Sequence, residues 1–368
     1  MNHPGAFKTL TLVSAGSGLP ELQELRRRED ADEMPRSSLF RRMLNADVLD
    51  EYYLNRVPPG RALLYSRVPT GVAQILEAFR VRREYSAIIS WAEHLGIPLA
   101  GLFRIARYRP AHVALFSWIS RRKKAMLLRR LHHHIDRIIL WSSVQKEFAV
   151  SRLGISESKI AFVRYPVDDK FWRPLGSVQS DMICSAGREM RDYETLIRAL
   201  SGTSIPCHVA ARHYPGKADP WRGFLSDARG FPPHISIGTK APRDLRELYA
   251  RSKFVVIPLL PTDTDNGVTC ILEAMAMGKA VICSRVSGQR DVIREGETGM
   301  FVPAQDPRAL REAVEYLWEN PAVAERMGAE GRRHIERHHS LDAWVATVRG
   351  IVEEAIRERQ PCAGSEAA

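Results

Sequence analysis

The chain has 368 residues, 45% of them apolar and 26% charged, with 24 Gly and 22 Pro. That length holds roughly two to three compact units; the composition excludes a disordered or collagen-like chain, and no apolar run approaches the ~18 residues of a membrane-spanning helix. A net charge of +11 points to a polyanion, an anionic surface or a phosphorylated small molecule as partner.

In chain order, Thr9–Val13 reads as a first strand; the apolar stretch through Ala15 is short and preceded by little basic charge, unlike a signal-peptide core. Gly16 and Gly18 follow in SAGSGLPEL, a spacing that suits an ordinary turn or a loop approaching phosphates. Further short runs at Ala62–Tyr65, Ala87–Trp91, Val113–Phe116 and Arg137–Trp141 alternate with helical stretches, which predicts a parallel sheet covered on both faces. His94 stands just past the third of these runs, beside Glu93, as an exposed loop histidine or a site residue.

From Gly101 to Ile135 there are nine Lys or Arg and no acid. Leu127, Leu131 and Ile135 recur there at helical spacing, predicting a basic amphipathic helix. It is read either as a solvated face or as a contact with an anionic membrane through Arg121, Arg122, Lys123, Lys124, Arg129 and Arg130. Nucleic acid is not expected, because no recognition module or aromatic interleaving accompanies the charge. His132, His133 and His134 are consecutive and would fan around a helix, so no metal site is predicted. The five cysteines lack C-x-x-C spacing, which indicates neither zinc nor a disulfide framework and suits a reducing cytoplasm, with the basic helix available for peripheral contact on the inner face of the membrane.

A second series of strands is expected at Asp181–Cys184, Cys207–Ala210, Ile235–Ile237, Phe254–Ile257, Ala280–Cys283 and Met300–Val302. Between the two series, RYPVDDKFWRPLG (Arg164–Gly176) carries two prolines, an Asp pair and two large aromatics, and reads as a linker. The expectation is an α/β chain of two doubly wound domains, 1–165 and 166–340, followed by 341–368 as a helix that packs back on the first domain and a frayed tail. Ligands of such open sheets bind outside the carboxyl ends of the strands, so a cleft between the two domains is expected. Asp306 and Pro307 read as N-cap and first residue of a helix to about Trp318. A last helix from Leu341 to about Arg357 carries Trp344, Val348, Ile351 and Ile356.

The most informative stretch is DNGVTCILEAMAMGKAVICS, Asp265–Ser284. Val268–Met277 is predicted as a helix, with Gly278 as its terminating glycine. The Asp265-Asn266-Gly267 turn precedes it, and the first amides of a helix with its dipole form an anion site. Glu273 lies some 8 Å further along the axis at ~1.5 Å per residue. Two carboxylates around a phosphate site suit a molecule with hydroxyls on both sides of its phosphates, because each accepts hydrogen bonds from a diol. An Asp cap followed by a buried or surface Glu is the alternative reading of the helix alone.

This stretch resembles the retaining glycosyltransferases of family 4, which have the two-domain GT-B fold and carry E-x7-E followed by an EAMA-x-GKPV run; here the pair is D-x7-E, Asp265 and Glu273. MICSAGREMRDYETLIRAL (Met182–Leu200) resembles the family's strand, Gly-Arg turn and helix. PVDDKFWRP and EGETGMFVPAQDP resemble its linker and a later loop and strand. The resemblance spans roughly Asp136 to Ile356.

The resemblance implies transfer of a hexosyl group from a nucleotide sugar to an acceptor hydroxyl on a glycan, a lipid-linked carrier or a small glycoside, with retention and without a metal or other cofactor. It implies an acceptor-binding first domain and a nucleotide-sugar-binding second domain. Glu273 would hold the ribose and Asp265 would contact the transferred sugar, while Arg188 and Arg191 grip the diphosphate with the turn and first helical residues Asn266, Gly267, Val268 and Thr269. Gly16 and Gly18 would approach the donor phosphates and His94 would lie beside the transferred sugar. An epimerase or phosphorylase on the same scaffold, or a non-catalytic sugar-nucleotide-binding protein, are the alternatives.

Overall fold

The computed structural model describes residues 7–14, 18–176, 181–211 and 232–359. Contacts divide the chain into two compact units: Met1–Arg28, Arg36–Arg164 and Asp342–Ala368 form unit 1, and Glu29–Pro35 with Tyr165–Leu341 form unit 2.

Unit 1 is built on a six-stranded sheet of β1 (Thr9–Val13), β2 (Ala46–Leu49), β3 (Ala87–Trp91), β4 (Ala111–Phe116), β5 (Arg137–Leu140) and β6 (Ile160–Phe162), in the order β2-β1-β3-β4-β5-β6. All its pairings are parallel. The central strands are buried along their length, which is why they read as nearly continuous apolar runs. β2 and β6 lie at the edges, short and less apolar, and their sequences carry no strand signal strong enough to predict them.

One predicted strand is absent. Ala62–Tyr65 belongs to a helix, Pro59–Tyr65, with proline in its first turn and Leu63 and Leu64 exposed. Pro59 pre-sets a helical φ, and Ala and Leu are unbranched helix formers, so local propensity outweighs the apolar run. The basic helix also differs in its facing. It runs Arg122–Leu131 and buries Ala125 and Leu128, whereas Leu127 is exposed; His132–His134 form a separate 3-10 turn that ends the helix before buried Ile135.

The C-terminal helix, Leu341–Arg359, belongs to unit 1 from Asp342 onward and contributes Trp344 to a cluster with Phe40 and Trp91. The ring centroids lie 5.3 Å apart for Phe40 and Trp91, and 5.6 Å for both pairs with Trp344. At its far end Arg359 reaches Asp136, which also takes a two-pronged bond from Arg109 and the amide of His112.

Unit 2 carries a second parallel sheet: β7 (Met182–Ala186), β8 (Cys207–Ala210), β9 (Ile235–Ile237), β10 (Ser252–Ile257), β11 (Ala280–Arg285) and β12 (Gly299–Pro303), ordered β12-β11-β10-β7-β8-β9. The expected linker carries no regular element beyond a single bridge, Val167 to Ser340. Its aromatics are not linker-like: Phe171 and Trp172 are both 3% exposed and sit in the unit 2 core, where Trp172 packs on Tyr249 at 5.7 Å. Asp306 accepts from the amides of Arg308 and Ala309 and caps the Pro307–Glu319 helix. A further helix, Pro321–His338, follows it.

Because Trp344 is 4% exposed and stacked on two other rings, Trp344→Ala is expected to cost about 3–5 kcal/mol in unit 1. Denaturant unfolding of the variant against the parent chain measures it; a loss below about 1 kcal/mol would mean the cluster contributes little.

Candidate active site

In sheet two the chain steps from β7 outward through β8 to β9, then returns to the other side of β7 as β10. Such a reversal opens a crevice at the carboxyl ends of the two diverging strands, the place where open α/β sheets bind ligands. The loops after β7 and β10 are tied together there: Leu260 N donates to Met190 O at 2.9 Å, Asp192 N donates to Pro258 O at 3.0 Å, and Arg191 bridges Leu259. The same crevice receives Gly187–Arg191 from one side and Asp265–Thr269 from the other.

Arg191 is 8% exposed. Its Nε donates to Ala186 O at 2.9 Å, Nη1 to Glu189 O at 2.8 Å and Nη2 to Cys270 Sγ at 3.5 Å. These partners are two carbonyls and a thiol, and burial raises the pKa of that thiol and keeps it neutral. A guanidinium is always charged, so a positive charge is held inside the crevice wall by groups that carry no negative charge. Arg188 stands on the exposed part of the same turn. Gly187 has φ +95°, and a side chain there would overlap the Arg191 guanidinium.

The Val268–Ala276 helix begins beside this charge. Gly267 is its N-cap with φ 95° and has no side chain to cap it, while the Val268 amide donates to Asp265 O at 3.1 Å. A Cβ on Gly267 would lie 3.1 Å from Ile257 Cγ2, 3.3 Å from Leu259 Cδ2 and 3.6 Å from Arg191 Nη1, so glycine is required both for the left-handed turn and for the helix to start this close to the guanidinium. Asp265 is 7% exposed and accepts from Thr264 Oγ1 at 3.2 Å. Asn266 donates to Thr262 Oγ1, Val268 is buried, and Thr269 is exposed in the first turn. The helix ends as expected, with Gly278 at φ +71°.

Glu273 accepts a hydrogen bond from Tyr249 OH at 3.1 Å. Burial pushes its carboxyl up to about 8, against smaller opposing effects of the Tyr249 bond and the Arg191 charge. Tyr249 is wholly buried and its own pKa is raised well above the usual value by burial, so it stays a donor.

A supporting loop escaped the sequence reading. Gln289, 3% exposed, donates through Nε2 to Asp265 O at 3.0 Å and Asn266 O at 3.2 Å. Ser287 Oγ and Gly288 N both donate to Thr262 O, and Ser284 Oγ accepts from Leu259 N. A Cβ on Gly288 would overlap the Thr264 backbone. The only sequence signal was a glycine between two polar residues after β11.

Unit 1 has its own reversal, between β1 and β3. Ser14, just after β1, lies 3.4 Å from His94 Nε2 through its Oγ. Gly16 lies outside the described residues, and Gly18 takes a φ of 77°. His94 is not on a loop, as one reading had it: it is the second residue of the Glu93–Phe103 helix, exposed, with its pKa lowered by loss of water. Ala92 before it has φ 139°, a conformation that is costly for any residue with a Cβ and clusters at functional sites.

Glu93 is 4% exposed and accepts from the amides of Ser117 at 2.7 Å and Trp118 at 2.6 Å, and from Lys124 at 3.0 Å. Burial works against its charge, but these bonds and the Lys124 charge outweigh it and hold the carboxyl below the usual range. Gln145 holds the next amides, Ile119 N and Ser120 N. Gln74, wholly buried, donates to the last carbonyls of β1 and β2, Val13 O and Leu49 O, both at 2.7 Å.

Residues 214–320 match the profile of the family described as Glycosyl transferases group 1. The chain is 27% identical over 285 residues to the D-rhamnosyltransferase WbpZ of Pseudomonas aeruginosa, an alignment covering 70% of this chain and 72% of that one. It is 24% identical over 277 residues to the lipopolysaccharide core biosynthesis mannosyltransferase LpcC of Rhizobium leguminosarum, covering 72% and 74%. The alignment with a D-inositol 3-phosphate glycosyltransferase of Thermobifida fusca, at 26% identity, covers 55% of this chain but 44% of that one. Among solved structures, sucrose-phosphate synthase from Thermosynechococcus elongatus superposes with a TM-score of 0.74 at 16% identity, over 95% of this chain and 100% of that one. Anabaena HepE in complex with UDP-glucose gives 0.67 at 17% identity, over 96% and 100%.

Glu273 also makes a pH prediction. Its folded pKa of about 8 lies above the ordinary 4.5, so the stability that its neutral form contributes is complete below about pH 4.5 and is lost as pH rises through about 8. Without nucleotide, the Tm of Glu273→Gln minus that of the parent is therefore expected to grow between pH 5 and pH 9; a difference independent of pH would contradict the raised carboxyl pKa. Gly267→Ala is expected to lose about 1–2 kcal/mol of stability, the cost of a left-handed alanine, and calorimetry would show it.

Proposed function

We propose that this chain, a glycosyltransferase with the GT-B fold whose residues 214–320 match group 1 of the glycosyl transferases, moves a hexosyl group from a nucleoside-diphosphate sugar to an acceptor hydroxyl with retention. The observation that carries the proposal is the meeting of a buried guanidinium that has no anionic hydrogen-bond partner with a helix N-terminus whose N-cap is a glycine, where the strand order of unit 2 reverses. That arrangement suits a diphosphate, which supplies the missing negative charge.

In this reading the bond between the anomeric carbon and the diphosphate oxygen breaks while the acceptor oxygen bonds to the same face of the sugar. The acceptor's proton passes to the departing diphosphate. Charge grows on that leaving group, and Arg188, Arg191 and the first amides of the Val268–Ala276 helix stabilise it, because preorganised donors aimed at developing charge lower the barrier. Arg191 acts chiefly through its fixed charge, since three of its N–H groups are already bonded to the protein. No metal ion is part of the proposal.

Glu273 takes the ribose diol and Asp265, held in the turn by Gln289, orients the transferred hexose. His94, on unit 1, lies beside the transferred hexose, where its lowered pKa keeps the ring neutral and able to accept a hydrogen bond from a sugar hydroxyl. Several observations support a nucleotide hexose and a glycan acceptor. HepE was solved with UDP-glucose, and the relatives aligned over most of their length are a rhamnosyltransferase and a mannosyltransferase of lipopolysaccharide core biosynthesis. Among the described residues no helix is long and apolar enough to cross a membrane.

Titration with UDP, GDP and ADP, followed by the rise in Tm, identifies the nucleotide; binding at a hundredfold excess over Kd is worth about 2.7 kcal/mol. Glu273→Ala is expected to weaken that nucleotide at least tenfold. Asp265→Ala is expected to bind it nearly as well while losing transfer, roughly a hundredfold. If both variants bound and reacted like the parent chain, the assignment of the two acids would be wrong.

A further inference from the structure

Hydrogen bonds hold the carbonyls of the turn after β7 against the body of unit 2. Arg191 Nε donates to Ala186 O at 2.9 Å and Nη1 to Glu189 O at 2.8 Å. Tyr193 OH donates to Gly187 O at 2.6 Å, and Leu260 N to Met190 O at 2.9 Å. Arg191 and Tyr193 are buried, whereas Arg188 and Glu189 are exposed and Gly187 and Met190 half-buried, so the turn rises from a floor built by its own two following side chains. Burial raises the pKa of the Tyr193 phenol, and its hydroxyl stays a donor.

A trans peptide is planar, with its C=O and the next N–H on opposite sides. A carbonyl drawn inward therefore turns the following amide outward. Gly187 O does this to the Arg188 amide and Glu189 O to the Met190 amide. Among the described residues the Met190 amide donates to no protein group. Gly187 at φ +95° and Met190 at φ 54° both stand in the left-handed region. Amides gathered by a turn of this kind form a concavity that takes an anion, and a left-handed methionine, costly in itself, belongs with the strained residues that cluster at functional sites. The turn stands beside the start of the Val268–Ala276 helix: a Cβ on Gly267 would lie 3.6 Å from Arg191 Nη1.

We propose that the Gly187–Met190 turn is a second set of amide donors for the diphosphate, in which the N–H groups of Arg188 and Met190 bind phosphate oxygens and Tyr193 and Arg191 are the positioning residues. The inference rests on the nucleoside-diphosphate reading of this site and deepens it. A carbonyl facing the crevice would set its partial negative charge against the phosphates; drawn inward, it leaves only donors on that side. Amides fixed in advance also need no rearrangement as charge grows on the leaving group. Arg191 then acts twice, through its charge and through the two carbonyls it withdraws. Tyr193 acts only through Gly187 O, with no charge of its own.

The Met190 amide can be deleted without touching a side chain. Cell-free translation with the hydroxy-acid analogue of methionine at position 190 replaces that N–H by an ester oxygen. Calorimetric titration of the full chain with UDP, GDP and ADP, and with the matching nucleosides, then compares the ester variant with the parent. Without ligand its Tm is expected to equal the parent's, since the deleted amide holds no protein group. The diphosphate that the parent binds is expected to bind the ester variant about tenfold more weakly, the effect of losing one hydrogen bond to a charged group, while the nucleoside binds both alike. Tyr193→Phe is expected to show the same diphosphate-selective loss, about five- to tenfold, and to lower kcat more than it raises the KM of the donor, a split that a merely structural tyrosine would not produce. An ester variant that bound the diphosphate like the parent, or lost the nucleoside equally, would overturn the amide cradle and leave the nucleotide site standing. A Tyr193→Phe variant indistinguishable from the parent would overturn the role of Tyr193. If the parent bound no nucleoside diphosphate, the reading beneath the inference would fall, and the cradle with it.

Discussion

The positive charge of Arg191, held inside the wall of unit 2 by two carbonyls and a thiol, is the constraint on which the site depends. A buried charge costs several kcal/mol unless something answers it, and none of its hydrogen-bond partners is an anion. The surrounding design serves that charge. Gly187 leaves room for the guanidinium, Gly267 lets a helix begin next to it, and the Ser284–Gln289 loop pins the turn from behind. The helix dipole adds a second positive element at the same place. The result is a crevice whose field is set before any ligand arrives, which is what stabilisation of a departing diphosphate requires.

Unit 1 solves a related problem with different groups. Its reversal lies between β1 and β3, where Gln74 fixes two strand ends, Ala92 takes a strained conformation, and Glu93 gathers two backbone amides and Lys124. These contacts hold the Ser117–Ser120 loop and His94 at the carboxyl end of the sheet. The aromatic cluster of Phe40, Trp91 and Trp344 anchors the strand that leads into Ala92, so the last helix of the chain stabilises the region that carries His94.

Much of this architecture was legible in the residues. Ten strands could be placed from buried apolar runs, and the turn at Asp265–Gly267 before a helix ended by a glycine followed from its spacing. What could not be read had specific physical reasons. Ala62–Tyr65 looked like a strand because periodicity does not separate short buried runs from helices; the proline and glycine before it were the better signal. The edge strands β2 and β6 are stabilised by pairing on one side and need little apolar sequence of their own. The inward turn of Arg191 and the roles of Gln74, Gln145 and Gln289 are long-range polar contacts, set by which loops the topology brings together and by nothing local. Phe171 and Trp172 were assigned to a linker by their prolines, whereas their rings are part of a core.

The central claim is that the first amides of the Val268–Ala276 helix, beside Arg191, receive a diphosphate. Hydrogen exchange at the amides of Thr269 and Cys270, compared for the chain alone, with a saturating nucleoside diphosphate and with the corresponding nucleoside, tests it most directly, because the Val268 and Ile271 amides already donate to Asp265 O and Gly267 O. The account predicts slowed exchange at these amides with the diphosphate and little change with the nucleoside. Unchanged exchange there, with protection appearing at another part of unit 2, would contradict it.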